Sequence, residues 1–77
     1  MRSSDVVSEL ISGREHFGAR IAKRRRSLGL SQEQVAAAAG TTRQLVMHLE
    51  NGTRDVGLSF ALKVASELGL DLRLEDR

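Results

Sequence analysis

The sequence predicts an all-α domain of four to five helices that ends in one short β-strand. Three observations carry this prediction. Apolar residues recur at helical spacing in several stretches between about residues 15 and 68. A glycine, at 29, 40, 52 or 69, closes each of these stretches. The period then changes from helical to strictly alternating over residues 70–75.

Residues 1–14 read as an N-terminal extension. Residues 1–3 look frayed, and Ser4 or Asp5 can cap a short helix with Val6, Val7, Leu10 and Ile11 on one stripe, ending at Ser12-Gly13. Helix 1 is expected from about Glu15 to Leu28, with Phe17, Ile21 and Leu28 on its inner face. Helix 2 covers about 32–39. Ser31 precedes it and Gln34 stands three residues later, a capping box that satisfies N–H groups left without an intrahelical partner. Val35, Ala36 and Ala39 form its apolar face, and Gly40 stops it, because glycine enters the left-handed conformation cheaply. Thr41 and Gln44 form a second box that opens helix 3, about 42–50, whose apolar positions are Leu45, Val46 and Leu49. Asn51-Gly52 ends it, and residues 52–57 form a loop. Helix 4, about 58–68, places Leu58, Ala61, Leu62, Ala65 and Leu68 on one face. Two short helices joined at a glycine, with a small residue at 36 that permits close approach, make residues 29–52 a helix-turn-helix within a domain spanning 15–69. An ordinary αα-hairpin in a small bundle is the bland alternative.

The tail, residues 70–77, is expected to carry the strand. Leu70, Leu72 and Leu74 alternate with Asp71, Arg73 and Glu75, the pattern of a half-buried strand. A lone strand in a helical chain leaves its edges unpaired, so pairing with a second copy about a two-fold axis is the economical solution. Centring the axis on Leu72 sets Asp71 opposite the partner's Arg73 and Leu70 opposite the partner's Leu74. Centring on 73 or 71 opposes like charges, and centring between residues mixes leucines with charges on one face. The alternative is a tail that packs its leucines on its own subunit.

Seventy-seven residues are one domain with a marginal core, which oligomerisation would help. The absence of cysteine excludes a disulfide framework and a thiolate metal site, and His16 and His48 stand too far apart for a zinc site of ordinary spacing. No cofactor is implied. No apolar run approaches membrane-spanning length, and no signal-peptide pattern opens the chain, so a cytoplasmic protein is the simplest reading. The net charge is only +2, but Arg20, Lys23, Arg24, Arg25 and Arg26 crowd into seven residues, a basic surface able to engage phosphates. An enzyme is poorly supported: Glu15 and His16 are adjacent, and adjacent helix residues point in different directions.

The run LGLSQEQVAAAAGTTRQLVMHLENG resembles the DNA-binding domain of the Cro/phage-repressor class, the XRE family, over roughly residues 16–70. The continuation LSFALKVASELGLDLRLED resembles the HipB-like antitoxin branch, in which a C-terminal strand pairs across the dimer. The resemblance implies a lambda-repressor-like fold and a homodimeric transcriptional repressor. It further implies double-stranded operator DNA and a HipA-like kinase toxin as partners. A stand-alone XRE-family repressor is the alternative, and a protein-interaction module without DNA binding is a third. The resemblance also assigns roles. Thr42, Arg43, Gln44, Met47 and His48 match exposed positions of the recognition helix, Gln32 and Arg54 match phosphate contacts, and Arg25 with Glu50 matches an ion pair tying helix 1 to the end of helix 3. Leu70, Asp71, Leu72, Arg73 and Leu74 match the dimer strand. Arg24 stands where leucine is common, with a stem long enough to cover the core edge while its charge stays in water.

The residues themselves agree in part. Positions 43, 44, 47 and 48 lie opposite the Val46/Leu49 face, and a helix in the major groove offers such side chains to base edges. Gln44 can pair bidentately with adenine, and Arg43 with guanine or a phosphate. Thr42 and Met47 can touch thymine methyls, and His48 offers a hydrogen-bonding ring. Core packing for Met47 and a solvent-exposed ring without a role for His48 are the alternatives.

Overall fold

The computed structural model describes residues 11–74 and 76. Among the described residues four α-helices follow one another: α1 (Gly13–Ser27), α2 (Gln32–Ala39), α3 (Arg43–Asn51) and α4 (Leu58–Glu67). The short helix expected within 4–12 lies outside the described residues apart from Ile11 and Ser12, which precede α1 without being helical. α1 starts two residues earlier than its apolar spacing suggests. The Ser12 N–H donates to His16 Nδ1 at 3.1 Å, so a ring one turn into the helix satisfies a donor at its start.

The helix boundaries follow from caps. Ser31 accepts from the Gln34 N–H at 3.0 Å, and the Gln34 side-chain oxygen accepts from the Ser31 N–H at 2.8 Å. This is the capping box read from the sequence. The second box is not formed as expected. Thr42, not Thr41, caps α3, accepting from the Leu45 N–H at 3.3 Å. Thr41 is already used to close α2: its N–H donates to the Ala36 carbonyl at 2.9 Å, beside Gly40 N–H on Ala37 at 3.2 Å. With Gly40 in the left-handed conformation, that pair of bonds consumes one more residue than the sequence pattern allows for, and α3 begins one residue later. All four helices end with the same two bonds, the others donated by Gly29 and Leu30, Gly52 and Thr53, and Gly69 and Leu70.

The core is made by Ile21 and Ala22 of α1, Val35, Ala36 and Ala39 of α2, Val46 and Leu49 of α3, and Val64, Ala65 and Leu68 at α4 and its end. Phe17, Leu30, Val56, Phe60, Ala61 and Leu70 pack against it. α3 is held between α1 and α2, and α2 also packs on α4. Two expected core faces need correction. Leu28 is exposed, because it lies at the turn leaving α1. Leu58 and Leu62 are exposed as well, and Val64 is fully buried in their place. α4 is therefore rotated so that Ala61, Val64, Ala65 and Leu68 face inward, leaving a second apolar flank outside.

α1 and α3 cross in near backbone contact at Gly18. A Cβ added there would run into the Leu49 and Glu50 carbonyl oxygens and lie 2.7 Å from the Glu50 carbonyl carbon. Gly52 makes a similar approach, since a Cβ there would lie 2.8 Å from the Glu15 Cα and N. Arg24 Nε donates to the Leu68 carbonyl at 2.9 Å, so the charged side chain closes the end of α4. In the single chain residues 70–74 form neither helix nor strand; Leu72 is half exposed and Leu74 wholly exposed. Among the described residues no helix is long and apolar enough to cross a membrane.

Candidate nucleic-acid interface

α3 is capped by Thr42 and turned by Gly40, which sets its first residues at the surface. Arg43 and Gln44 are exposed in its first turn, and Met47 and His48 are half-buried one turn later, while Val46, Leu49 and Glu50 face inward. Residues four apart share a face, so Gln44 sits beside His48 and Arg43 beside Met47. The Thr42 hydroxyl accepts in the cap, and the residue is exposed. Arg54 is exposed on the loop that follows α3.

Behind this face lies a polar network that fixes α3 to α1 and α2. Arg25 Nε and Nη2 meet the two oxygens of Glu50 at 2.6 and 3.0 Å, a bidentate pair with the Glu50 side chain 3% exposed. Arg25 Nη1 also donates to the Leu30 carbonyl at 2.9 Å. The hydrogen bond that Arg25 donates to Glu50, partly offset by burial, holds the Arg25 proton more tightly than usual and raises its pKa. Gln32, at the first position of α2, donates its Nε2 to Glu50 Oε1 at 3.0 Å and is half-buried. Gln32 is thus tethered inward by one N–H of its amide, with the second left to reach out.

The sequence pattern does not single out Thr53. His48 Nδ1 and Thr53 Oγ1 lie 2.8 Å apart, and the Thr53 N–H donates to the His48 carbonyl at 3.2 Å. The signal available was the glycine-ended helix itself, which brings the residue after the glycine back over the last turn. The basic run of α1 divides: Arg24 and Arg25 are bound to carbonyl and carboxylate groups, Arg20 is half-buried, and Lys23 and Arg26 are exposed. Among the described residues no three His, Cys, Asp or Glu side chains come together to hold a metal ion. An open apolar groove of about 370 Å³ lies on the other side of the loop, lined among others by Ile11, Phe17, Val56, Leu58, Ala61 and Leu72.

This arrangement has close counterparts. The helix-turn-helix family model matches residues 21–74. An uncharacterized HTH-type transcriptional regulator of Methanothermobacter thermautotrophicus is 39% identical over 56 residues, covering 73% of this chain and 80% of that protein. The restriction-modification controller protein C.AhdI from Aeromonas hydrophila superposes with a TM-score of 0.69 at 38% identity, over 74% of this chain and 83% of that one. HipB in its complex with the O2 20mer superposes with a TM-score of 0.82, over 91% of this chain and 97% of that one. Its identity is only 20%, so the likeness is one of fold. With the capped α2–turn–α3 unit, the bidentate pair behind it and these relatives, the chain belongs to the XRE-type helix-turn-helix family of transcriptional regulators.

Proposed function

We propose that this regulator is a homodimeric repressor that reads double-stranded operator DNA with α3. The observation that carries the proposal is the polar face formed by the exposed Arg43 and Gln44 and the half-buried His48, held on a helix whose opposite face is locked into the core and the Arg25–Glu50 pair. In the major groove Gln44 pairs with adenine and Arg43 with guanine or a phosphate, while Met47 and the Thr42 methyl meet thymine methyls. Arg54 and the free amide N–H of Gln32 reach the phosphates on either side, and Lys23 and Arg26 add to the basic field. Gel-shift titration tests the assignment. Gln44→Ala should cost about 1–3 kcal/mol at the selected site and little on random duplex. Equal losses on both duplexes remove Gln44 from base reading.

The fold overlap with HipB extends over 91% of this chain, against 74% for C.AhdI, and favours a second role. In that reading the chain is also the antitoxin of a HipA-like kinase toxin, binding it through the surface away from DNA. A stable complex with a kinase-like product of a neighbouring gene supports this. A gene that stands alone, with a protein that purifies without a partner, leaves the plain repressor.

A further inference from the structure

We infer that Thr53, outside the recognition helix, is a positioning residue that fixes which hydrogen-bonding group His48 presents to a base edge. The inference rests on the DNA reading above and deepens it. It starts from the way α3 ends. Gly52 is left-handed, its N–H donates to the Leu49 carbonyl at 3.3 Å, and the Thr53 N–H donates to the His48 carbonyl at 3.2 Å. In such a turn the residue after the glycine is brought against the residue five positions before it, a contact usually made by two apolar side chains. Here the two are polar: His48 Nδ1 and Thr53 Oγ1 lie 2.8 Å apart.

One ring nitrogen is thereby committed to the protein. The two nitrogens of a neutral imidazole are distinct, and the bond made by one decides what the other offers. Neutral histidine intrinsically favours the proton on Nε2. A hydroxyl that donates to Nδ1 reinforces that choice, so Nε2–H remains as an outward donor. His48 lies one turn after Gln44 on the same face, which directs this donor toward the same groove. An N–H donor in the major groove is accepted by guanine O6 and N7, adenine N7 or thymine O4, and not by the cytosine or adenine amine. His48 therefore selects an acceptor edge over an exocyclic amine, and Thr53 makes the selection definite by removing ring flips and the other tautomer. The backbone bond from Thr53 to His48 does not depend on the hydroxyl, so Thr53→Val removes the positioning contact while leaving the turn intact.

Two measurements test this. In the free protein, two-bond proton–nitrogen correlations of the neutral ring should show His48 with its proton on Nε2, and Thr53→Val should yield a mixture of tautomers. Thr53→Ser should restore the single form. A wild-type ring with its proton on Nδ1, or a ring indifferent to Thr53→Val, overturns the inference. The second measurement uses duplexes selected from a random library by the wild-type protein. His48→Ala identifies the base pair that the ring reads. Thr53→Val should reduce discrimination at that same base pair by about 5- to 10-fold, with affinity for random duplex unchanged and Thr53→Ser restoring it. A uniform loss on every duplex assigns Thr53 to the phosphate backbone or to the fold and overturns the positioning role, as does no loss. If the wild-type protein selects no duplex, both the base-reading proposal and this inference fall. If it selects one that depends on Gln44 but not on His48, only this inference falls.

Discussion

Glu50 accepts three N–H groups from two other helices, two from Arg25 and one from Gln32, with almost no exposure to water. A carboxylate in that position is tolerable only because its lone pairs are filled by charged and polar donors. Glu50→Ala leaves the Arg25 guanidinium with the Leu30 carbonyl and little solvent. It should cost about 3–5 kcal/mol, read as a lower urea midpoint at unchanged slope. Arg25→Met with Glu50→Leu should recover most of that loss. A double variant as unstable as Glu50→Ala would assign the main effect to Gln32 instead. Because the Arg25 pKa is raised in the fold, its contribution is fully present below the ordinary arginine value and is lost only as strongly alkaline pH passes through the folded value. The Arg25–Glu50 pairing could be named from the sequence only through the family resemblance, since no local pattern links residues 25 apart. The inward tether of Gln32 was invisible for the same reason: position 32 reads locally as an exposed first residue of a helix.

At the scale of elements, capping chemistry was the most legible part. Ser31, Gln34 and the glycines at 40, 52 and 69 mark helix ends in the sequence because each satisfies identifiable backbone groups. Where two signals competed, as at Thr41 and Thr42, the preceding turn decided, and no single-helix rule contains that term. The phase of α4 was misread because Leu58, Leu62 and Val64 are all apolar, and periodicity alone does not say which flank meets α2. Gly18 gave no signal at all, since glycine inside a helix ordinarily only weakens it. In an exposed helix Gly→Ala stabilises by about 0.5–1 kcal/mol. At Gly18 the added methyl meets the carbonyls of Leu49 and Glu50, so Gly18→Ala should destabilise, by about 3 kcal/mol, as α1 and α3 are forced apart. Thermal melting distinguishes the two signs directly, because 1 kcal/mol moves a domain of this size by roughly 4–8 °C. A raised melting temperature would show that the crossing opens without cost.

For the whole molecule, the exposed leucines carry the decisive question. Leu58, Leu62, Leu72 and Leu74 are all open to solvent in the single chain, although the helices behind them are well packed. The alternation of residues 70–74 was readable, but a strand requires an edge to pair with, and the described residues of one chain hold none. In the proposed dimer the tails pair about Leu72, and the leucines cover α4 of both subunits. Leu72→Asp would place two charges at the axis. Sedimentation should then show monomers, circular dichroism should show a retained helical core, and operator binding should fall to the level of random DNA, because one α3 reads too few base pairs alone. A variant still dimeric at micromolar concentration would move the interface to the exposed flank of α4.

The tight crossing of α1 on α3 also bears on how such a protein can change through descent. Gly18, Gly52, Arg25 and Glu50 are bound by backbone approach or by a shared carboxylate, so each can vary only at a heavy cost to the fold. Arg43 and Gln44 stand outside these contacts, and substitutions at sites without shared partners add nearly independently. If α3 reads the operator as proposed, its preference can therefore drift at 43 and 44 while the scaffold stays fixed. Under the inference drawn above, His48 and Thr53 are expected to change together, because the Thr53 hydroxyl sets what the ring presents.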